Sequence, residues 1–213
     1  VIILNITFAH RFEETKRIIV PEVEELEPLS MDEKKRPIRR LAVQKDDSNN
    51  LGAAAQVEAK TLLFLKYSPE RIGEPEVQDL SAHIDGHITG LAINSDLSDL
   101  IAALLGGAIE YLDIKQPDSV EKVQTLPVSG EAISSLGFLV GGESLVVGTE
   151  SGQVSVYFKV RQESGQWKYV RVREFEPHSA PVIAVAASPR DKGFLTADAA
   201  GHIKLHYSTT GKT

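Results

Sequence analysis

Cysteine is absent from the 213 residues. Disulfides and thiolate chemistry are therefore excluded, and the redox compartment stays open. Basic charge is in deficit: Lys and Arg number 23 against 30 Asp and Glu, a formal net charge of −7. That argues against nucleic acid as the main partner, because phosphate binding requires a basic surface. No run reaches the roughly 18 consecutive apolar residues of a spanning helix. The longest near-candidate, "LGFLVGGESLVVG" at 136–148, is too short and carries Glu143. No basic stretch precedes "VIILNITF" at 1–8, so a secretory leader is not read there. The start at Val1, with Met31 the only methionine, leads to the expectation of a piece of a longer protein.

Apolar residues make up 42% of the chain, ample for a packed core. Their arrangement is repetitive. "ITGLAINSDLSDLIAALLGGAIEYL" from Ile88, "ISSLGFLVGGESLVVGTESGQVSVY" from Ile133 and "VIAVAASPRDKGFLTADAAGHIKLH" from Val182 align without gaps. Each carries a glycine 19 positions after its first residue: Gly107, Gly152 and Gly201. A weaker copy begins at Ile38, where "IRRLAV" echoes "ITGLAI"; its later half, "EAKTLLFLKY" at 58–67, has slipped and lost the glycine.

Each unit reads as strand, turn, strand, tight turn, strand, from β-branched and apolar residues in period-2 alternation. The glycine is expected in a two-residue hairpin turn, where positive φ is needed. Further strands are expected at 119–128 and 166–177. Four strands per period of about 45 residues is the size of a propeller blade. The expected fold is thus all-β, a single β-propeller domain over 1–213. About four blades begin near 38, 88, 133 and 182, and they form part of a larger ring.

"HSAPVIAVAASPRDKGFLTADAAGHIKLH" at 178–206 resembles a WD-type repeat. His178 precedes Val182 by the family's interval, Ser188-Pro189 occupies the Ser-Pro turn, and Gly201 the hairpin glycine. The turn aspartate of the family aligns with Ala200 and its closing tryptophan with His206. Those two positions are Ser151 and Tyr157 in the second copy, and Gly106 and Leu112 in the first. The family's buried His–Asp–Ser–Trp network is therefore expected to be missing. Residues 174–213, with "RIIVPEVEELEPLSMDEKKRPIRRLAV" at 17–43, are also similar to the large permease subunit of bacterial phosphate ABC transporters. One branch of that family carries a WD-like propeller between its first two membrane helices. The resemblance implies an extramembrane, periplasmic module of an inner-membrane transporter. Its partners would be other transporter subunits or the phosphate-binding protein. It transfers no phosphate-pathway residue.

Chemistry-bearing motifs are few. His202 and His206 sit at i, i+4 on a strand and could ligate a metal only with a third ligand. The simpler reading puts His202, Lys204 and His206 on the more solvated face and Ile203, Leu205 and Tyr207 on the other. "HIDGH" at 83–87 could bind a metal but reads first as a loop with an Asp85-Gly86 turn. "TGKT" at 210–213 has His206 where a phosphate loop needs glycine. "GESLV" at 142–146 lacks the last glycine of a nucleophile elbow. The carboxylates at 21–28 with Asp32 and Glu33, beside Lys34, Lys35 and Arg36, read as a solvated connection. "DDSNNLG" at 46–52 reads as an exposed hairpin tip, and "NIT" at 5–7 is a glycosylation sequon.

No catalytic, cofactor-binding or metal residue is assigned, and no enzymatic activity is expected. Two other readings stay open: a ligand-binding or enzymatic propeller with a site at its central channel, and a soluble scaffold propeller. An incomplete ring would expose apolar blade faces. It would then close as a small ring, pair with a second copy through open blade edges, or belong to a larger propeller; the last is expected.

Overall fold

A computed structural model describes residues 38–57, 59–69, 76–116, 119–128 and 131–210. All of them belong to the unit Ile38–Thr213. The sequon at 5–7, the carboxylates and basic residues at 21–36 and the final Gly-Lys-Thr at 211–213 lie outside the described residues.

The described residues form an all-β protein of four antiparallel sheets. The first sheet is β1 (Ile38–Lys45), β2 (Leu51–Val57), β3 (Thr61–Tyr67) and β4 (Glu76–Asp79). The second is β5 (Ile88–Ile93), β6 (Asp99–Leu104), β7 (Ala108–Asp113) and β8 (Glu121–Pro127). The third is β9 (Ile133–Phe138), β10 (Ser144–Thr149), β11 (Val154–Arg161) and β12 (Trp167–Phe175). The fourth holds β13 (Val182–Ala187), β14 (Gly193–Asp198) and β15 (Ile203–Tyr207). Each sheet is a meander, with strands neighbouring in sequence order.

The copies repeat bond for bond. The N–H groups of Leu105, Glu150 and Ala199 donate to the carbonyls of His87, Ala132 and Pro181, each one residue before a first strand. Gly107, Gly152 and Gly201 all have positive φ, at 76°, 89° and 88°. Their turns are not two-residue turns. Thr149 N–H bonds to Gln153 and Asp198 N–H to His202, each closing a loop of three residues with the glycine last. The third loop position must turn left-handed to rejoin the twisted ladder, which is why glycine sits there. The degraded copy uses the same loop one hairpin earlier. Asp46 N–H bonds to Asn50, and Asn49 takes the left-handed position at φ 63°. Its slipped half is β3.

Sheets stack through their first strands: β1 against β5, β5 against β9, β9 against β13. Small residues permit this. A Cβ on Gly90 would collide with Leu136 of the next sheet, and one on Gly148 with Val182. Three apolar clusters fill the three seams. Ala54, Leu62 and Phe64 meet Ile88 and Leu100 in the first. Ile101, Ile109 and Tyr111 meet Ile133 and Leu145 in the second. Val146, Val154 and Val156 meet Val182 and Phe194 in the third.

Candidate functional site

Polar side chains gather in the fourth sheet. Asp198 ends β14 at the hairpin loop, where its Oδ1 accepts the N–H groups of Ala200 (3.0 Å) and His202 (2.9 Å). Its Oδ2 lies 3.2 Å from His178 Nδ1 and 3.1 Å from His202 Nδ1. His178 Nε2 meets Thr196 Oγ1 at 2.6 Å, and that oxygen meets His206 Nε2 at 2.7 Å. The carboxylate accepts from His178 Nδ1–H. The Thr196 hydroxyl, able both to donate and to accept, bridges the two imidazoles.

Two expectations are corrected here. A buried polar line is present where none was expected, running Asp198, His178, Thr196 and His206, with threonine and histidine where the family has serine and tryptophan. The bonding aspartate stands at position 198, two residues before the Ala200 that aligns with the family's aspartate. Asp198 stands immediately before the three-residue loop, from where its carboxylate reaches the N–H groups of Ala200 and His202 and the His178 ring. The strand faces are also reversed. His206 is fully buried, lodged between Phe175 (ring centroids 4.8 Å) and Phe194 (4.8 Å, stacked), while Ile203, Leu205 and Tyr207 are exposed. His202 alone of the polar trio is well exposed, at the loop.

An Asp–His–Thr line of this kind can serve nucleophilic catalysis when the hydroxyl is open to substrate. Here Thr196 is 1% exposed and held between two imidazoles. The line instead ties β14, β15 and the lead-in to β13 into one unit.

Electrostatics make this unit acid-sensitive. Burial, with His178 and Lys204 nearby, pushes the His206 imidazole down to about 4. Burial opposes ionisation of Asp198, but the His202 N–H and the His202 and His178 rings hold its carboxyl at about 2. Both folded values lie below the unfolded ones. Their stabilisation is complete above the unfolded values and is lost as pH falls. For His206 the window runs from about 6.5 down to about 4, worth about 3 kcal/mol. For Asp198 it runs from 3.8 to about 2. Urea midpoints measured at pH 7, 5 and 4 should fall for the wild type. A His206→Phe variant should lose less over the same range; equal losses would contradict the assignment.

A second polar cluster rivets the second sheet to the third. Asp99, at the start of β6, is buried. Lys159 of β11 reaches it at 2.8 Å, Tyr169 OH of β12 at 2.6 Å, Tyr111 OH of β7 at 3.2 Å and Ser98 Oγ at 2.9 Å. Burial, with the Asp99 charge adding to it, raises both tyrosine hydroxyls above their usual range, so they stay protonated and donate. The two rings meet edge to face at 5.1 Å, and Lys159 lies 5.6 Å from the Trp167 ring centre. Asn94 Oδ1 fixes the backbone at this point, accepting the N–H groups of Ser98 (3.0 Å) and Asp99 (2.9 Å). Sequence reading missed this cluster entirely, because its members are spread over 70 positions and share no motif.

The remaining motifs resolve simply. In "HIDGH", Asp85 carboxylate pairs with Lys122, and Asp85 N–H points to buried Glu110, which lies 3.2 Å from the same lysine. The segment is thus anchored to β7 and β8. Among the described residues no three His, Asp or Glu side chains form a metal-binding group. Ser144 of "GESLV" is buried at the start of β10, behind the Gly142 turn. Asp46 caps its hairpin tip through Ser48 and Asn50 N–H groups, and its carboxyl is held low chiefly by the Asn50 side chain. No helix among the described residues is long and apolar enough to cross a membrane.

Fold and site together define an all-β protein of stacked meander sheets, pinned by buried polar clusters. No family model and no curated protein matches the chain.

Proposed function

We propose that this chain is an arc of a WD-like β-propeller. It serves as a non-enzymatic docking module on the periplasmic side of a bacterial phosphate ABC transporter permease. The observation that carries the arc is the stacking of β1, β5, β9 and β13 in sequence order, each opening a meander sheet. The Asp198–His178–Thr196–His206 line supports the WD-like part. The docking role is favoured because the groups with chemical potential are spent on internal bonds. Thr196, Asp198 and Asp99 are each 1% exposed, and stacked sheets leave rigid loops at both ends for partners. The transporter assignment rests on the resemblance of 17–43 and 174–213.

Titration calorimetry of the purified chain against the phosphate-binding protein, and against the detergent-solubilised transporter subunits, tests this reading. Saturable binding in the micromolar range to either is expected. No heat with any of them would overturn it.

A further inference from the structure

The second and third seams use corresponding positions, and the first uses the same trailing face displaced by three residues, at Ala54, Leu62 and Phe64. Counted from the first residue of the first strand, the trailing face in the second and third seams supplies positions 13, 21 and 23. The leading face of the next supplies positions 0, 3 and 12. Between the second and third sheets the trailing set is Ile101, Ile109 and Tyr111, and the leading set Ile133, Leu136 and Leu145. Between the third and fourth, Val146, Val154 and Val156 trail, and Val182, Val185 and Phe194 lead. All six trailing residues are buried to 1% exposure or less.

The described residues carry one more half-seam at each end. In the fourth sheet the trailing positions are Leu195, Ile203 and Leu205, which are 43%, 70% and 48% exposed. In the first sheet leading positions 0 and 3 are Ile38 and Leu41, at 42% and 54% exposed. The loops repeat the asymmetry. Gly107 and Gly152 carbonyls accept N–H groups from the segments leading to the next sheet, Val128 and His178. Around Gly201 the space that a Cβ would fill is empty. An exposed face of this kind favours association.

We propose that a second copy of this chain fills the gap. Leu195, Ile203 and Leu205 of one copy pack on Ile38 and Leu41 of the other, and the reciprocal contact closes a two-fold ring of eight sheets. The two surfaces differ, so the contact is head-to-tail; closure after two copies removes every open apolar end that a filament would keep. The proposal rests on the arc reading of the fold and not on the transporter assignment.

Light scattering of the purified 1–213 chain should give twice 23.2 kDa. Leu41→Asp and Leu205→Asp each place a carboxylate in both seams and should each weaken the dimer at least about tenfold. Mixing the two variants should restore a dimer, because one seam then joins two unaltered faces. Both residues are exposed, so circular dichroism should show the wild-type sheet signal. Because the chain lacks cysteine, mixed Leu41→Cys and Leu205→Cys chains should also crosslink to a covalent dimer under oxidation. A monomeric wild type would overturn the proposal while leaving the docking titration unaffected. So would a ladder of larger species, or a Leu41→Asp variant that dimerises like wild type through face-to-face fourth sheets. Failed binding in calorimetry would leave a confirmed dimer standing.

Discussion

Replacing Gly152 with valine should cost about 4 kcal/mol or more, in the range reserved for severe local disruption. Two effects add. At φ 89° a β-branched side chain is strained. A Cβ there would also run into the His178 carbonyl oxygen and lie 2.9 Å from its carbon and 3.0 Å from the Ala180 oxygen. Relief requires moving the lead-in to β13, which breaks the 2.9 Å bond from His178 N–H to the Gly152 carbonyl. His178 would shift with it, and the Asp198–His178–Thr196 line would loosen. Gly201→Val supplies the control. Its φ is 88°, but nothing lies within 4 Å of the added Cβ. Only the left-handed strain of about 1–2 kcal/mol should remain. Urea unfolding of both variants checks the difference. Equal losses would show that backbone strain alone sets the cost and that the sheet junction contributes nothing.

Lys159→Met should be nearly as damaging, at about 3–5 kcal/mol, because it leaves the Asp99 carboxylate buried without its cation. The aliphatic stem is kept, so the loss measures charge rather than packing. Adding Asp99→Asn to the same chain should recover most of the stability. The two tyrosine hydroxyls and Ser98 can still bond to a neutral amide oxygen. If the double variant is no better than the single one, the cluster does not act as an ion pair joining the second sheet to the third.

Much of the fold was legible in the residues. Three gap-free copies with glycines at one shared offset specify three strands each, and β5 to β7, β9 to β11 and β13 to β15 lie there. The candidates at 119–128 and 166–177 became β8 and β12. Short β4 had no visible pattern, since Glu76–Asp79 alternates nothing but charge and one valine. Glycine marks the left-handed position in two- and three-residue turns alike, so it does not by itself give the loop length. The family alignment puts the turn aspartate at position 200, and the carboxylate that bonds stands two residues earlier, at Asp198.

The amino-acid pattern by itself determined the all-β class, the repeat and the left-handed positions at Gly107, Gly152 and Gly201. These depend on local steric rules and on alternation within a strand. Only the tertiary structure decided which face of each strand is inside. In β6 and β10, the second strands of the second and third sheets, every residue is buried, so alternation carries no in-or-out signal there. At the fourth sheet the usual rule is inverted: His206 is buried because Thr196, Phe175 and Phe194 enclose it, and Ile203 is exposed because no further sheet among the described residues covers it. The Asp99–Lys159 pair was likewise decided by stacking, since contact across 60 positions exists only once two sheets are laid together.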